Sequence, residues 1–143
     1  MTESVNLGVL MFVAYRALEQ RAHKAAVEAG GNITAAQARV AARIGPDGTR
    51  LTDLAAQSQV TKQTAAHLVN ELHRAGYVER VTDPEDGRAR LIRLTAAAEP
   101  LVDAANAAVA KELAVWRGHL GVTRMERLQE ALTMLRDITD PWA

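Results

Sequence analysis

The chain has 143 residues, 48% of them apolar but only 3% aromatic, with 17 basic and 17 acidic side chains, zero formal net charge and no cysteine. That length suits one domain with a real core, and the missing cysteine excludes a disulfide frame, a thiolate zinc site and a thiol redox switch. Zero net charge weighs mildly against nucleic acid, whose binders are more often basic.

Residues from about 5 to 29 read as a long first helix ended by Gly30-Gly31. Around Leu7 to Leu18 it is apolar on nearly every side. An obligate partner accounts for that, and so does a central position within its own chain. The run LGVLMFVAY follows Glu3 rather than a basic segment and is too short to span a bilayer, so a cytoplasmic chain without a membrane partner is expected. A second helix starts at Thr34 with the capping-box pattern Thr34-x-x-Gln37 and a stripe of Val40, Ala41 and Ile44. Gly45-Pro46-Asp47-Gly48 is expected to stop it.

A short helix follows from about Thr52 to Gln57, with Leu54 and Ala55 inward. Ser58-Gln59-Val60 turns the chain into a helix capped by Thr61, whose buried face is Ala65, Leu68, Val69 and Leu72. Lys62, Gln63, Ala66, His67, Asn70 and Arg74 then project away from the core. Two helices joined by a three-residue turn form a helix-turn-helix, whose second helix reads bases. Gly76 ends that helix, and the runs YVERV and RLIRLT read as strands around DPEDG, with Gly87 free to take a positive φ. Thr95 is expected to cap a fifth helix to about Gly118, with Pro100 in its early turns and a stripe of Val102, Ala105, Val109, Leu113 and Trp116. A sixth opens with Thr123-x-x-Glu126, carries Met125, Leu128, Leu132 and Leu135, and is closed by Pro141.

In this order and spacing the sequence resembles the MarR family of winged helix-turn-helix regulators. The wing pattern D-x-x-D-x-R with a strand ending L-T is met by Asp83, Asp86, Arg88, Leu94 and Thr95, and the run after the reading helix by Gly76, Tyr77, Val78 and Arg80. The resemblance covers essentially the whole chain and is sharpest from Leu54 to Thr95. It implies a mainly α fold with a small β-hairpin wing, a single domain over 1–143. Its winged head spans about 33–95, and dimerisation helices lie at about 5–29 and 96–140. It further implies a homodimer on a pseudo-palindrome of double-stranded DNA, repression relieved by a small aromatic or anionic ligand, and no cofactor. Three departures stand out: Gln59 where glycine is frequent, Ala66 and His67 where a hydroxyl residue and arginine are common, and Ala98 for a glycine.

Arg88, at the hairpin tip, suits a narrow minor groove, with Asp86 orienting its guanidinium through paired hydrogen bonds. Arg90 and Arg93 suit phosphates or solvent. Thr61, Lys62, Gln63 and Thr64 occupy the positive end of the reading helix; Gln63 can pair with adenine and Lys62 with guanine or phosphate. His67, one turn on, can bond a base or backbone oxygen with a pH-dependent contribution. Arg80 either contacts phosphate or locks the wing to the head. Tyr15, Arg16 and Trp116 are candidates for an effector pocket. The histidines at 23, 67, 73 and 119 form no ligand cluster, so no metal site is expected. Neither Ser4 nor Ser58 sits in a nucleophile motif, so no enzyme is expected. The alternative is a winged-helix module that binds a protein instead of DNA.

Overall fold

Asn6 opens the first helix by accepting a hydrogen bond from the Val9 amide, and α1 then runs Leu7–Glu28. The computed structural model describes residues 4–140; Pro141, expected to close the last helix, lies outside them. α2 follows at Ala35–Ala41, α3 at Leu51–Ser58 and α4 at Lys62–Arg74. Strands β1 (Val78–Asp83) and β2 (Asp86–Leu94) form an antiparallel hairpin. A single 3-10 turn, Ala96–Ala98, leads into α5 (Glu99–Leu120), and α6 (Val122–Thr139) doubles back at Gly121.

Local signals explain most boundaries. Thr34 and Gln37 form the expected capping box, and Thr61 accepts from the Thr64 amide at the start of α4. α2 nevertheless ends three residues before its expected stop. Its last amides shift to tighter bonds, Arg43 to Val40 and Ile44 to Ala41, which swings Ile44 into the core. Pro100 stands at the start of α5, where its missing donor costs nothing.

Two expected caps are absent. The Thr95 hydroxyl donates instead to the Gly76 carbonyl at 2.6 Å, because the ladder pairs Val78 with Leu94 and leaves Thr95 beside that turn. Thr123 lies inside the first turn of α6, which begins at Gly121 without a side-chain cap because α5 runs on to Leu120.

The head core gathers Val40, Ile44, Leu54, Leu68, Val69, Leu72, Val78 and Ile92 from every element of the head. Thr49 adds a short third bridge to the hairpin, exchanging amide–carbonyl bonds of 2.9 and 2.8 Å with Ile92. Gly48 precedes it at φ 96°, and a Cβ there would sit 2.9 Å from that of Leu91, so only glycine fits. This bridge joins the wing to the α2–α3 loop, and periodicity could not reveal it.

Outside the head, α1 packs along α5 while their other faces stay open. Leu7, Phe12, Met134 and Ile138 are each more than 60% exposed. α6 buries no described residue. No helix among the described residues is long and apolar enough to cross a membrane.

Leu72 is fully buried in the head core. Leu72→Ala is expected to destabilise the protein by about 2–5 kcal/mol, the cost of a core cavity. Urea unfolding measures it; a change below about 1 kcal/mol, normal for surface sites, would place Leu72 outside the cooperative core.

Candidate nucleic-acid interface

Burial of Ala65, Leu68, Val69 and Leu72 fixes the rotation of α4 and leaves Lys62, Gln63, Thr64, His67 and Asn70 exposed. The Thr61 hydroxyl also donates to that of Thr64 at 2.9 Å, tying both to the helix start. His67 is not free: its Nε2 lies 2.6 Å from Glu71 Oε1, one turn further along. Glu71 in turn accepts from Gln37, the buried residue of the α2 capping box. The histidine is therefore held back along the helix by a carboxylate anchored in the head.

The wing turns through Pro84 and Glu85, between the paired Asp83 and Asp86. Thr82 pairs with Arg90, so residues 87–89 bulge out of the ladder. Gly87 does not take the positive φ expected of it, because the two-residue turn ends before it. Arg88 sits in the bulge with its side chain 97% exposed. Asp86 does not grip the guanidinium through paired hydrogen bonds: the Arg88 Nε is 3.8 Å away, and Asp86 Oδ1 accepts instead from the Arg88 backbone amide at 3.1 Å. Asp86 thus shapes the bulge and leaves the arginine head loose.

Arg80 donates to the Asn70 side chain and so joins β1 to α4. It also lines, with Arg50, Lys62 and Arg90, a cleft of about 430 Å³ between the start of α4 and the hairpin. No acidic side chain lines that cleft, so a chain of zero net charge presents a locally cationic groove. Arg93 is excluded from it, paired across the ladder with Glu79 at 2.6 Å.

Asp83 and Arg50 carry a role that spacing did not reveal. Arg50 donates through Nε and Nη2 to Asp83 Oδ2 at 3.0 and 2.7 Å, fastening the start of α3 to the wing. Asp83 Oδ1 accepts from the Glu85 amide at 2.9 Å. That amide, followed by Arg50, holds the Asp83 carboxyl below its ordinary pKa. The partners are 33 residues apart, beyond any local pattern.

A second cleft, about 690 Å³, lies where α1, α2 and α5 meet the end of α3. Tyr15 lines it as expected, but Arg16 and Trp116 do not. Arg16 folds back on Glu19 along α1, and the Trp116 indole donates to Glu112 at 3.1 Å on its own helix. The missed residues are Glu19 and Arg39, which form a bidentate ion pair of 2.7 and 2.9 Å across α1 and α2, together with Arg43 and Ser58. Tyr15 donates to the same carboxylate at 2.7 Å, and burial, then Glu19, pushes its phenol up so that it stays a donor.

Residues 32–89 match the model of the MarR family. Over nearly the whole chain the fold is that of solved MarR-type regulators. NadR, solved with 4-hydroxyphenylacetate, is 24% identical with TM-score 0.74, covering 96% of this chain and 97% of its own. CouR from Rhodococcus jostii, bound to p-coumaroyl-CoA, is 21% identical with TM-score 0.73, covering 99% of each. The S. aureus MepR–DNA complex is 20% identical with TM-score 0.69, covering 94% of this chain and 98% of its own. No curated protein matches significantly. The likeness to that family's model is confined to the winged head, and the solved structures share the fold of the whole chain.

Within the MarR fold the glycine departure has a visible consequence. Gln59 takes φ 56° and ψ 44°, alone among the described non-glycine residues in a positive φ. A side chain in that left-handed region costs about 1–2 kcal/mol.

The Glu19–Arg39 pair is the contact between α1 and the head that pH can test. Hydrogen bonds from Arg39, and then from Tyr15, outweigh burial and lower Glu19 to about 2 from 4.5. A depressed carboxylate stabilises fully above its unfolded pKa and loses that stabilisation as pH falls through the folded one. Stability is therefore expected to drop from pH 4.5 towards 2, with Glu19→Gln flatter over that window in thermal melts. Parallel pH profiles would remove this role from Glu19.

Proposed function

We propose that this chain is a homodimeric, sequence-specific DNA-binding regulator in the cytoplasm, a repressor released by a small aromatic or anionic ligand. The observation that carries the reading is the convergence of Lys62, Arg80 and Arg90 on one acid-free cleft between the reading helix and the wing. Cations lining such a groove neutralise backbone phosphates and release counterions, which supplies most of the affinity. Thr61, Lys62, Gln63 and Thr64 then lie at the positive end of α4, where backbone and base edges are met. Arg88 reaches the adjacent minor groove, and Asp86 sets the bulge that presents it. His67 contributes from the same helix.

Division into a head of about 33–95 and a dimerisation region of about 5–29 and 96–140 supports the dimer. The open apolar faces of α1 and α6 exceed what a lone soluble chain leaves in water. A shared interface buries them and places two heads at a fixed spacing, which a pseudo-palindrome mirrors. Among proteins of this fold, one is solved on DNA and two with aromatic ligands. The cleft beside Tyr15 is where this chain has room for such a ligand.

Fluorescence anisotropy on duplex DNA from upstream of its own gene tests the reading. Affinity is expected to fall steeply and linearly with log salt. Arg88→Ala is expected to weaken binding by about 1–3 kcal/mol while sedimentation shows the dimer unchanged. Equal affinity of the variant at fixed salt would remove Arg88 from the site. Absence of salt-steep, sequence-selective binding across a random-sequence library would favour the protein-binding module.

A further inference from the structure

A line of hydrogen bonds runs from the start of α2 to the outer face of α4, and its direction is fixed. The Thr34 backbone amide donates to Gln37 Oε1 at 3.1 Å. A backbone amide can only donate, so this bond decides which end of the Gln37 side chain is oxygen. The other end, the amide nitrogen, therefore faces Glu71 Oε2 and donates to it. Gln37 is buried within the capping box, so turning its amide round would break both bonds. On the far side of the carboxylate, Glu71 Oε1 lies 2.6 Å from His67 Nε2. Two bare acceptors do not meet at that distance, and a carboxylate offers no proton, so Nε2 carries the hydrogen. The tautomer of an exposed imidazole is thus set by a backbone amide on another helix.

A neutral imidazole with its hydrogen on Nε2 is an acceptor at Nδ1. The His67 side chain is 66% exposed, and its Nδ1 has no partner among the described residues. It stands on the outward face of α4, one turn after Gln63. In the major groove cytosine and adenine each present an exocyclic amino group, whereas guanine presents only acceptors and thymine an acceptor and a methyl. An acceptor held here pairs with cytosine or adenine; guanine or thymine would set acceptor against acceptor. An arginine at the same place would choose the other way, because a guanidinium only donates.

We propose that His67 reads the exocyclic amino group of cytosine or adenine through Nδ1, and that Glu71 and Gln37 are positioning residues that hold it in the accepting tautomer. The inference rests on the DNA-binding reading above and assigns a base class to one residue of it. Retaining Glu71 also immobilises the ring before DNA arrives, so less side-chain freedom is lost on contact. The same line of bonds predicts its own reversal. In Glu71→Gln the Gln37 amide still donates, so the substituted side chain turns its carbonyl to Gln37 and its amino group to His67 Nε2. The imidazole then accepts at Nε2 and carries its hydrogen on Nδ1, where it pairs with guanine or thymine.

The test uses the full chain at about pH 8.5, above the range in which a free imidazole titrates. Selection from a random-sequence duplex library gives a preferred duplex. Anisotropy then measures affinity for each of the four bases at every position of it, for the wild type, His67→Ala, His67→Arg and Glu71→Gln. At one position of the half-site the wild type is expected to favour cytosine or adenine by about threefold to tenfold, the range for one neutral hydrogen bond. The same series tells which of the two it is. His67→Ala should flatten that position alone, His67→Arg should favour guanine there, and Glu71→Gln should move the preference to guanine or thymine. Imidazole nitrogen-15 shifts give a readout without DNA: hydrogen on Nε2 in the wild type, on Nδ1 in Glu71→Gln. A preference unchanged or merely lost in Glu71→Gln would overturn the positioning role, as would a wild-type hydrogen on Nδ1 or on both nitrogens. Matching base profiles for the wild type and His67→Ala would overturn the base assignment and leave the DNA-binding reading standing. No sequence-selective binding by the wild type would overturn that reading and this inference together.

Discussion

α4 can bury only one of its faces, and the apolar stripe of Ala65, Leu68, Val69 and Leu72 decides which. Those side chains lock into a core supplied by α2, α3 and both strands. Rotation of the helix about its axis is thereby determined, and with it the direction of Lys62, Gln63 and Thr64. The same burial brings Val78 and Ile92 against the helix, so the wing is oriented by the contacts that orient the reader. Head and wing consequently share one core.

Polar links between elements refine that arrangement. Arg50 holds Asp83 across the head, Arg80 holds Asn70, and Glu71 ties His67 to Gln37. Each joins side chains from different parts of the head. The bulge at 87–89 works oppositely: it frees Arg88 from the ladder while Asp86 holds only its backbone. A loose arginine on a defined backbone can follow the sequence-dependent width of a minor groove. Local charge also outweighs composition here, because acids such as Asp83 and Glu79 are occupied by arginines while the cleft at α4 contains none.

The α3–α4 joint stands apart from this economy of satisfied groups. Among the described residues, a core that pairs nearly all of its polar atoms leaves the Ser58 hydroxyl bare, beside Gln59, the one non-glycine residue there in a left-handed conformation. Such local inconsistencies concentrate where two conformations must remain close in energy. They lie between the cleft beside Tyr15 and the start of α4.

Periodicity and turn chemistry alone gave the element order, the buried face of α4 and the capping box at Thr34, because each depends on residues a turn or less apart. The all-round apolarity of α1 was legible for the same reason. Tertiary structure decided what short-range patterns cannot encode. The Thr49–Ile92 bridge, the Arg50–Asp83 pair and the Glu19–Arg39 pair join residues 20 or more positions apart. Thr95 and Thr123 lost their expected caps because neighbouring elements offered a nearer acceptor or ran longer. Trp116 does not line the cleft beside Tyr15, and its indole donates to Glu112 on its own helix. Propensity selects which segments form; packing selects which of their side chains are left to act, because a pairing distant in sequence becomes local only once the core has closed.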